Sequence, residues 1–274
     1  IASAVRTEAD AADRLGRDID DAYAAAAEAI GDRAVAGRAL HTEVLTRWQE
    51  LVGTGKIIGT VQRGVGRVRD AVAGAFGRRS ETAAAAGELT SELERGIILH
   101  ADEATLEVVE RWRNDPAGAA LLGGDDVRLS RSDPDLAIKA RAEIDQWTAA
   151  IVALISDQGK NRQVVARVLS IGVNTVGLAL MVAVFAHTGG LTGGEVVVAS
   201  GTGAASHALL TAVFGEQAVR DLVEQARGDL DLRIRRLLDD DAARFRRRIS
   251  DAVAGENVAE RLDAAVDLLS ESLT

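Results

Sequence analysis

Residues 168–186 read VLSIGVNTVGLALMVAVFA, and residues 196–214 read VVVASGTGAASHALLTAVF. Between Val168 and Gly215 the one formally charged side chain is Glu195. In water, a run this long without charge offers no solvated face, so protein or lipid must cover it. Crossing a hydrocarbon core of about 30 Å takes about 20 apolar residues in a helix. The first arm has that length. The second is weaker, because it carries Ser200, Thr202, Ser206 and His207. Ala199 and Gly203, four residues apart, suit close helix packing in either medium. Three readings follow: a hairpin buried in a helical bundle, a hairpin that inserts into or lies against a membrane, and a pair of buried strands. The last rests on the β-prone run from Glu195 to Ser200.

The surroundings of this segment favour helices. There are 2 prolines in 274 residues, and aromatic residues make up 3% of the chain. Alanine runs recur at 24–27 and 83–86. Hydrophobic residues at 47% and charged residues at 27% place the chain among folded proteins. The formal net charge of -10 argues against general nucleic-acid binding, which needs a basic surface to release counterions. It also weakens broad adsorption to anionic lipid. No cysteine is present, which excludes disulfides, thiolate metal sites and a cysteine nucleophile.

Residues 3 to about 52 read as helix, with an interruption expected at Gly31. Residues 56–76 repeat apolar side chains at three and four, from Ile58 through Val61, Val65, Val68 and Val72 to Phe76. Ser80 predicts the N-cap of a helix that runs to about Trp112 and stops at Asn114-Asp-Pro116. A short helix and a loop follow. Asp133-Pro134 predicts the next start, with Asp133 as N-cap and Pro134 at the first helical position. From there Ile144, Trp147, Ile151 and Leu154 mark a seam, and one helix is expected to continue to about Ala186. After a turn at 188–194 and the second apolar arm, a charged helix is expected from Glu216 to Ala254. Its buried stripe is Leu222, Leu230, Ile234, Leu237, Phe245 and Ile249. Gly255 is expected to punctuate it before a last amphipathic helix to about Leu273.

Gly53-Thr-Gly-Lys56 suggests a phosphate loop, but its frame fails. Aligning Gly55-Lys56 with the G-K of G-x-x-x-x-G-K-[ST] puts Glu50 where the first glycine belongs and Ile57 where the magnesium-binding hydroxyl belongs. A carboxylate would face phosphate. The preceding residues read as helix instead of strand, so the stretch is taken as a helix end. His41, His100, His187 and His207 show no metal-ligand spacing. They are read as parts of solvated helix faces, and the abundant acidic residues as exposed, ion-paired surface. No nucleophile elbow occurs. For this chain alone we expect no catalytic residue, no metal and no cofactor.

The run EVLTRWQELVGTGKI at Glu43–Ile57 precedes a basic amphipathic helix. A long helix then enters the apolar hairpin, and FGEQAVRDLVEQARGDLDLRIRRLL returns from Phe214. This order resembles the C-terminal helical stalk of bacterial, actinobacterial-type dynamin-like GTPases, and the resemblance covers most of the chain. It implies a GTPase domain upstream of Ile1, where GTP and magnesium would bind. It also implies a stalk that carries nucleotide-driven movement to a membrane-contacting tip. The hairpin would be that tip, with Thr188 to Glu195 at its turn. Thr188 to Gly194 holds no charge and no aromatic residue, so lipid contact would be by apolar insertion.

The sequence thus predicts an all-α fold: an elongated helical bundle with long antiparallel helices and an apolar helical hairpin. The expected organisation is an N-terminal bundle segment, 1–130, and a long-helix stalk, 131–274, with the hairpin at 168–215. Val173, Leu178, Leu180, Met181, Val184, Phe185, Leu191 and Val197 are the residues expected to contact lipid or bundle. The expected partners are membrane lipid and another copy of the chain or a related dynamin-like protein. The expected place is the cytoplasm, peripheral to or integral in the cytoplasmic membrane. The alternatives are a soluble helical interaction module with the hairpin as its core, and a colicin-like pore-forming domain.

Overall fold

The computed structural model describes residues 2–36, 79–124, 126–158, 175–188, 207 and 210–272. Among them every regular element is helical: α1 (Ala2–Ala36), α2 (Arg79–Arg113), α3 (Pro116–Leu122), α4 (Asp126–Leu129), α5 (Leu136–Gln158), α6 (Thr175–Thr188) and α7 (Glu216–Ser272). The all-α expectation is met. The repeat at 56–76, the stretch around Gly53-Thr-Gly-Lys56 and the run Glu195–Ser200 lie outside the described residues.

Two expected breaks do not occur. α1 runs through Gly31, and α7 continues through Gly255 for 57 residues. A lone glycine costs a helix interior about 1 kcal/mol relative to alanine. The alanine-rich flanks on both sides outweigh that. The helix expected from Pro134 begins instead at Leu136. Asp133 uses its Oδ1 to accept the N–H of Asp135 at 2.8 Å, and its carbonyl accepts the N–H of Leu136 at 2.9 Å. The expected continuation from α5 to α6 passes through 159–174, outside the described residues.

The chain divides into two compact units. The first comprises Ile1–Glu28, Ile98–Leu136 and Arg235–Thr274; the second comprises Ala29–Ile97 and Ala137–Ile234.

In the first unit, α1 buries Leu15, Ile19, Tyr23 and Ala26, α2 buries Ala101, Ala104, Val108 and Trp112, and α7 buries Leu237, Asp241 and Phe245. Spacings of three and four put each set on one helix face. Trp112 and Phe245 meet edge to face, with centroids 5.5 Å apart. Arg14 pairs with Asp115, the N-cap of α3, at 3.2 Å, while Arg111 of α2 reaches Asp18 at 3.6 Å. α3 is capped at both ends. Asp115 accepts from the N–H groups of Ala117 and Gly118, Pro116 follows it, and Gly123 closes the helix at φ 57. Arg248 donates to the carbonyls of Leu121 and Leu122 at 2.8 and 3.3 Å, satisfying the C-terminal end.

In the second unit, α2 contributes Leu89, Leu93 and Ile97, α5 contributes Ala140, Ile144, Trp147, Ile151 and Ile155, and α7 contributes Val219, Leu222, Ala226, Leu230 and Ile234. Trp147 is fully buried, and its Nε1 donates to the carbonyl of Ala226 at 2.8 Å. Arg233 of α7 bonds Glu143 of α5 at 2.6 Å and Asp229 at 3.0 Å. Burial works against its charge, but those two hydrogen bonds and carboxylates outweigh it and raise its pKa. Gly215, at φ 90, turns the chain between helical residues 210–214 and α7.

Gly118 sits against the end of α2. A Cβ there would lie 2.7 Å from the Trp112 carbonyl oxygen and 2.8 Å from its Cα, both backbone atoms. Gly118→Ala is therefore expected to destabilise the protein by about 1–3 kcal/mol. Gly255→Ala meets nothing within 4 Å in the middle of α7 and is expected to stabilise by up to about 1 kcal/mol. Chemical denaturation midpoints of the two variants, moving in opposite directions, check this.

Candidate functional site: the buried apolar helix

α6 has the sequence TVGLALMVAVFAHT. Between Val176 and Ala186 it has no side chain that hydrogen-bonds or carries charge, so no face of it can be turned to water without loss. A helix apolar on every side belongs in a core or a membrane. Its 14 described residues rise about 21 Å. Among the described residues no helix is long and apolar enough to cross a membrane.

In the structure α6 is covered by protein. Leu178, Leu180, Met181, Val184 and Phe185 are each at most 4% exposed, and the intervening Ala179, Val182 and Ala183 are equally buried. Five of the eight predicted contact residues thus fall together on one helix. Val173, Leu191 and Val197 lie outside the described residues. Val176, at 51%, is the exposed apolar side chain of α6. Phe185 meets His207 edge to face at 6.4 Å, so one residue of the second arm is brought against the first.

His187 stands in the last turn of α6, where the helix C-terminus favours a cation by about 0.3–1 kcal/mol. Burial is the stronger influence and lowers its pKa from 6.5 to about 4. The ring is neutral at pH 7. His187 is therefore not the solvated residue expected from the sequence, and His100 is a second correction. His100 is 3% exposed, and its Nδ1 lies 2.6 Å from Glu103 Oε2.

The sequence reading also missed a buried polar group in the first unit. Asp241, expected to be exposed, is 2% exposed. Its Oδ2 accepts the Tyr23 hydroxyl at 2.5 Å and is 3.4 Å from Arg244; its Oδ1 accepts the N–H of Asp133 at 2.7 Å. Burial first, and then the Asp241 charge and hydrogen bond, drive the Tyr23 phenol far above its ordinary range, so it stays protonated and donates. Both carboxylate oxygens are occupied by donors of the fold, an arrangement that positions chain segments. The signal was present: Asp241 follows Leu237 by four residues and precedes Phe245 by four, on the stripe of α7 that was read as buried.

The neutral state of His187 gives the second unit a pH dependence. The unfolded chain takes up a proton near pH 6.5, and the folded chain only near 4. The unfolded state therefore binds more protons in that window. Stability is full above pH 6.5 and falls as pH drops toward 4. Between pH 7.5 and 5.5 the expected loss is about 1 kcal/mol, reduced by the partial exposure of the ring. His187→Gln should flatten this part of the profile in urea titrations at the two pH values.

The chain matches no protein-family model, no curated protein and no solved structure.

Proposed function

We propose that this chain is the helical stalk of a dynamin-like GTPase, acting in membrane remodelling or fusion through movement and self-association. Nucleotide and magnesium would belong to a GTPase domain upstream, and this chain would couple that domain's cycle to the apolar hairpin. The observation that carries the reading is α6. It is an uncharged helix, covered by protein from Leu178 to Ala186, at the place where the resemblance puts the membrane-contacting element. Apolar surface of this kind, sheathed in one state and presented in another, is what insertion without electrostatic docking needs. The helical composition of the described residues supports a helical bundle. The partners would be lipid, a second copy of the chain or a related dynamin-like protein. The working place would be the cytoplasmic side of a membrane.

The burial of Leu178, Met181 and Phe185 favours a second reading. In it the chain is a helical interaction module and the hairpin is permanent core. Liposome flotation separates the two. The intact chain is compared with a version whose residues 168–214 are replaced by a short Gly/Ser turn, with helicity followed by circular dichroism. Under the stalk reading the intact chain floats with lipid, and the replaced chain stays helical and does not float. Absence of flotation with both neutral and anionic vesicles, together with collapse of the replaced chain's helicity, overturns it in favour of the core reading.

A further inference from the structure

The segment between α4 and α5 is fastened by two carboxylates from distant parts of the chain. The N–H of Ser132 donates to Asp102 Oδ1 of α2 at 2.8 Å. The N–H of Asp133, the next residue, donates to Asp241 Oδ1 of α7 at 2.7 Å. Pro134 has no N–H to give. The N–H groups of Asp135 and Leu136 are taken up locally by the side chain and carbonyl of Asp133. Every backbone donor from 132 to 136 is thus accounted for, and the two that leave the segment both end on carboxylates. A connection of this kind ordinarily spends its backbone groups on water.

The two anchors are unequal. Asp102 is half-buried, whereas the Asp241 side chain has no exposure at all. Its nearest cation, Arg244, is 3.4 Å away, stacks on the Phe245 ring at 5.0 Å, and leaves its own Nε buried without a hydrogen-bond partner among the described residues. Arg244 therefore does not clamp the carboxylate in two-point fashion. The Tyr23 hydroxyl and the Asp133 N–H supply the short hydrogen bonds that hold the charge in place. Removing the charge or its acceptor geometry should be felt first at the backbone group with no other anchor, the N–H of Asp133.

We infer that Asp241, with Asp102 as its junior partner, is a latch that holds the 130–136 segment, so that this segment opens locally when the latch is lost while the helices of the first unit stay folded. The inference is independent of the dynamin-like reading and stands or falls separately from it. The latch sets the free energy of local opening for the residues that lead into α5.

Hydrogen–deuterium exchange of the full chain tests it, comparing wild type with Asp241→Asn and Asp102→Asn. Charge-assisted hydrogen bonds of this kind support about a ten- to hundredfold acceleration in peptides covering 130–136 for Asp241→Asn, and about tenfold for Asp102→Asn. Peptides from α2 at 104–112 and from α7 at 242–250 should change by less than about threefold. Equal acceleration across the segment and both helices would show that Asp241 contributes to global stability only, and would overturn the latch. An unchanged 130–136 segment would overturn it as well. Should Asp241→Asn fail to fold, Asp102→Asn decides alone, because it leaves the buried hub intact and removes only the second fastening.

Discussion

The structure depends on the need to cover a helix that has no polar side. α6 carries Leu178, Leu180, Met181, Val184 and Phe185 along one side of its axis and the equally buried Ala179, Val182, Ala183 and Ala186 along the other. Moving one such side chain from water into protein stabilises the fold by about 1.5–3 kcal/mol, whereas an exposed ion pair contributes about 0–1 kcal/mol. The many arginine–carboxylate pairs on the helix surfaces therefore adjust register and partner choice, and apolar burial supplies the driving force of the second unit. The apolar stripes of α2, α5 and α7 in that unit, and the tryptophan bonded to a helix carbonyl at Trp147–Ala226, fit this demand. The neutral His187 at the end of α6 is a consequence of the same burial.

The first unit follows a different rule. Its core includes a carboxylate, and a buried charge is costly unless its hydrogen bonds are supplied. Asp241 receives them from Tyr23, Asp133 and Arg244, three places that the chain keeps far apart in sequence. A leucine at 241 would bury more apolar surface but would leave the Tyr23 hydroxyl and the Asp133 N–H without acceptors. The hub thus specifies which segments meet, while the Trp112–Phe245 contact and the tight seat of Gly118 fill the space beside it.

Much of the helical framework was legible. Periodicity located most of the buried stripes of α5 and α7, because a core-facing helix repeats apolar residues at three and four whatever it packs on; Leu154 and Ile249, read as part of them, are half-buried, and Ile155 takes the buried place on α5. The start near Asp133-Pro134 and the stop at Asn114-Asp-Pro116 were legible because proline and capping carboxylates act locally. Gly31 and Gly255 misled, since a single glycine costs less than its flanking helix formers provide. His100, His187 and Asp241 were misread for one reason: residue type suggested solvent, and burial depended on the helix face, which only the three-dimensional pairing assigns. That pairing was also not legible. Periodicity tells each helix which face to bury but does not name its partner, and the stretches of α1, α2 and α7 that share a unit are far apart in the chain. In α6 the need for cover was legible, with protein and lipid left equal as the means.

The measurement that tests the account most directly uses the absence of native cysteine. Single cysteines are placed at Met181 and at Val176, and thiol labelling is followed in aqueous buffer without lipid. α6 as covered core predicts rapid labelling of Val176→Cys. For Met181→Cys it predicts protection by orders of magnitude, relieved by denaturant. Equal, rapid labelling at both positions in the folded chain would contradict the claim that protein sheathes this helix.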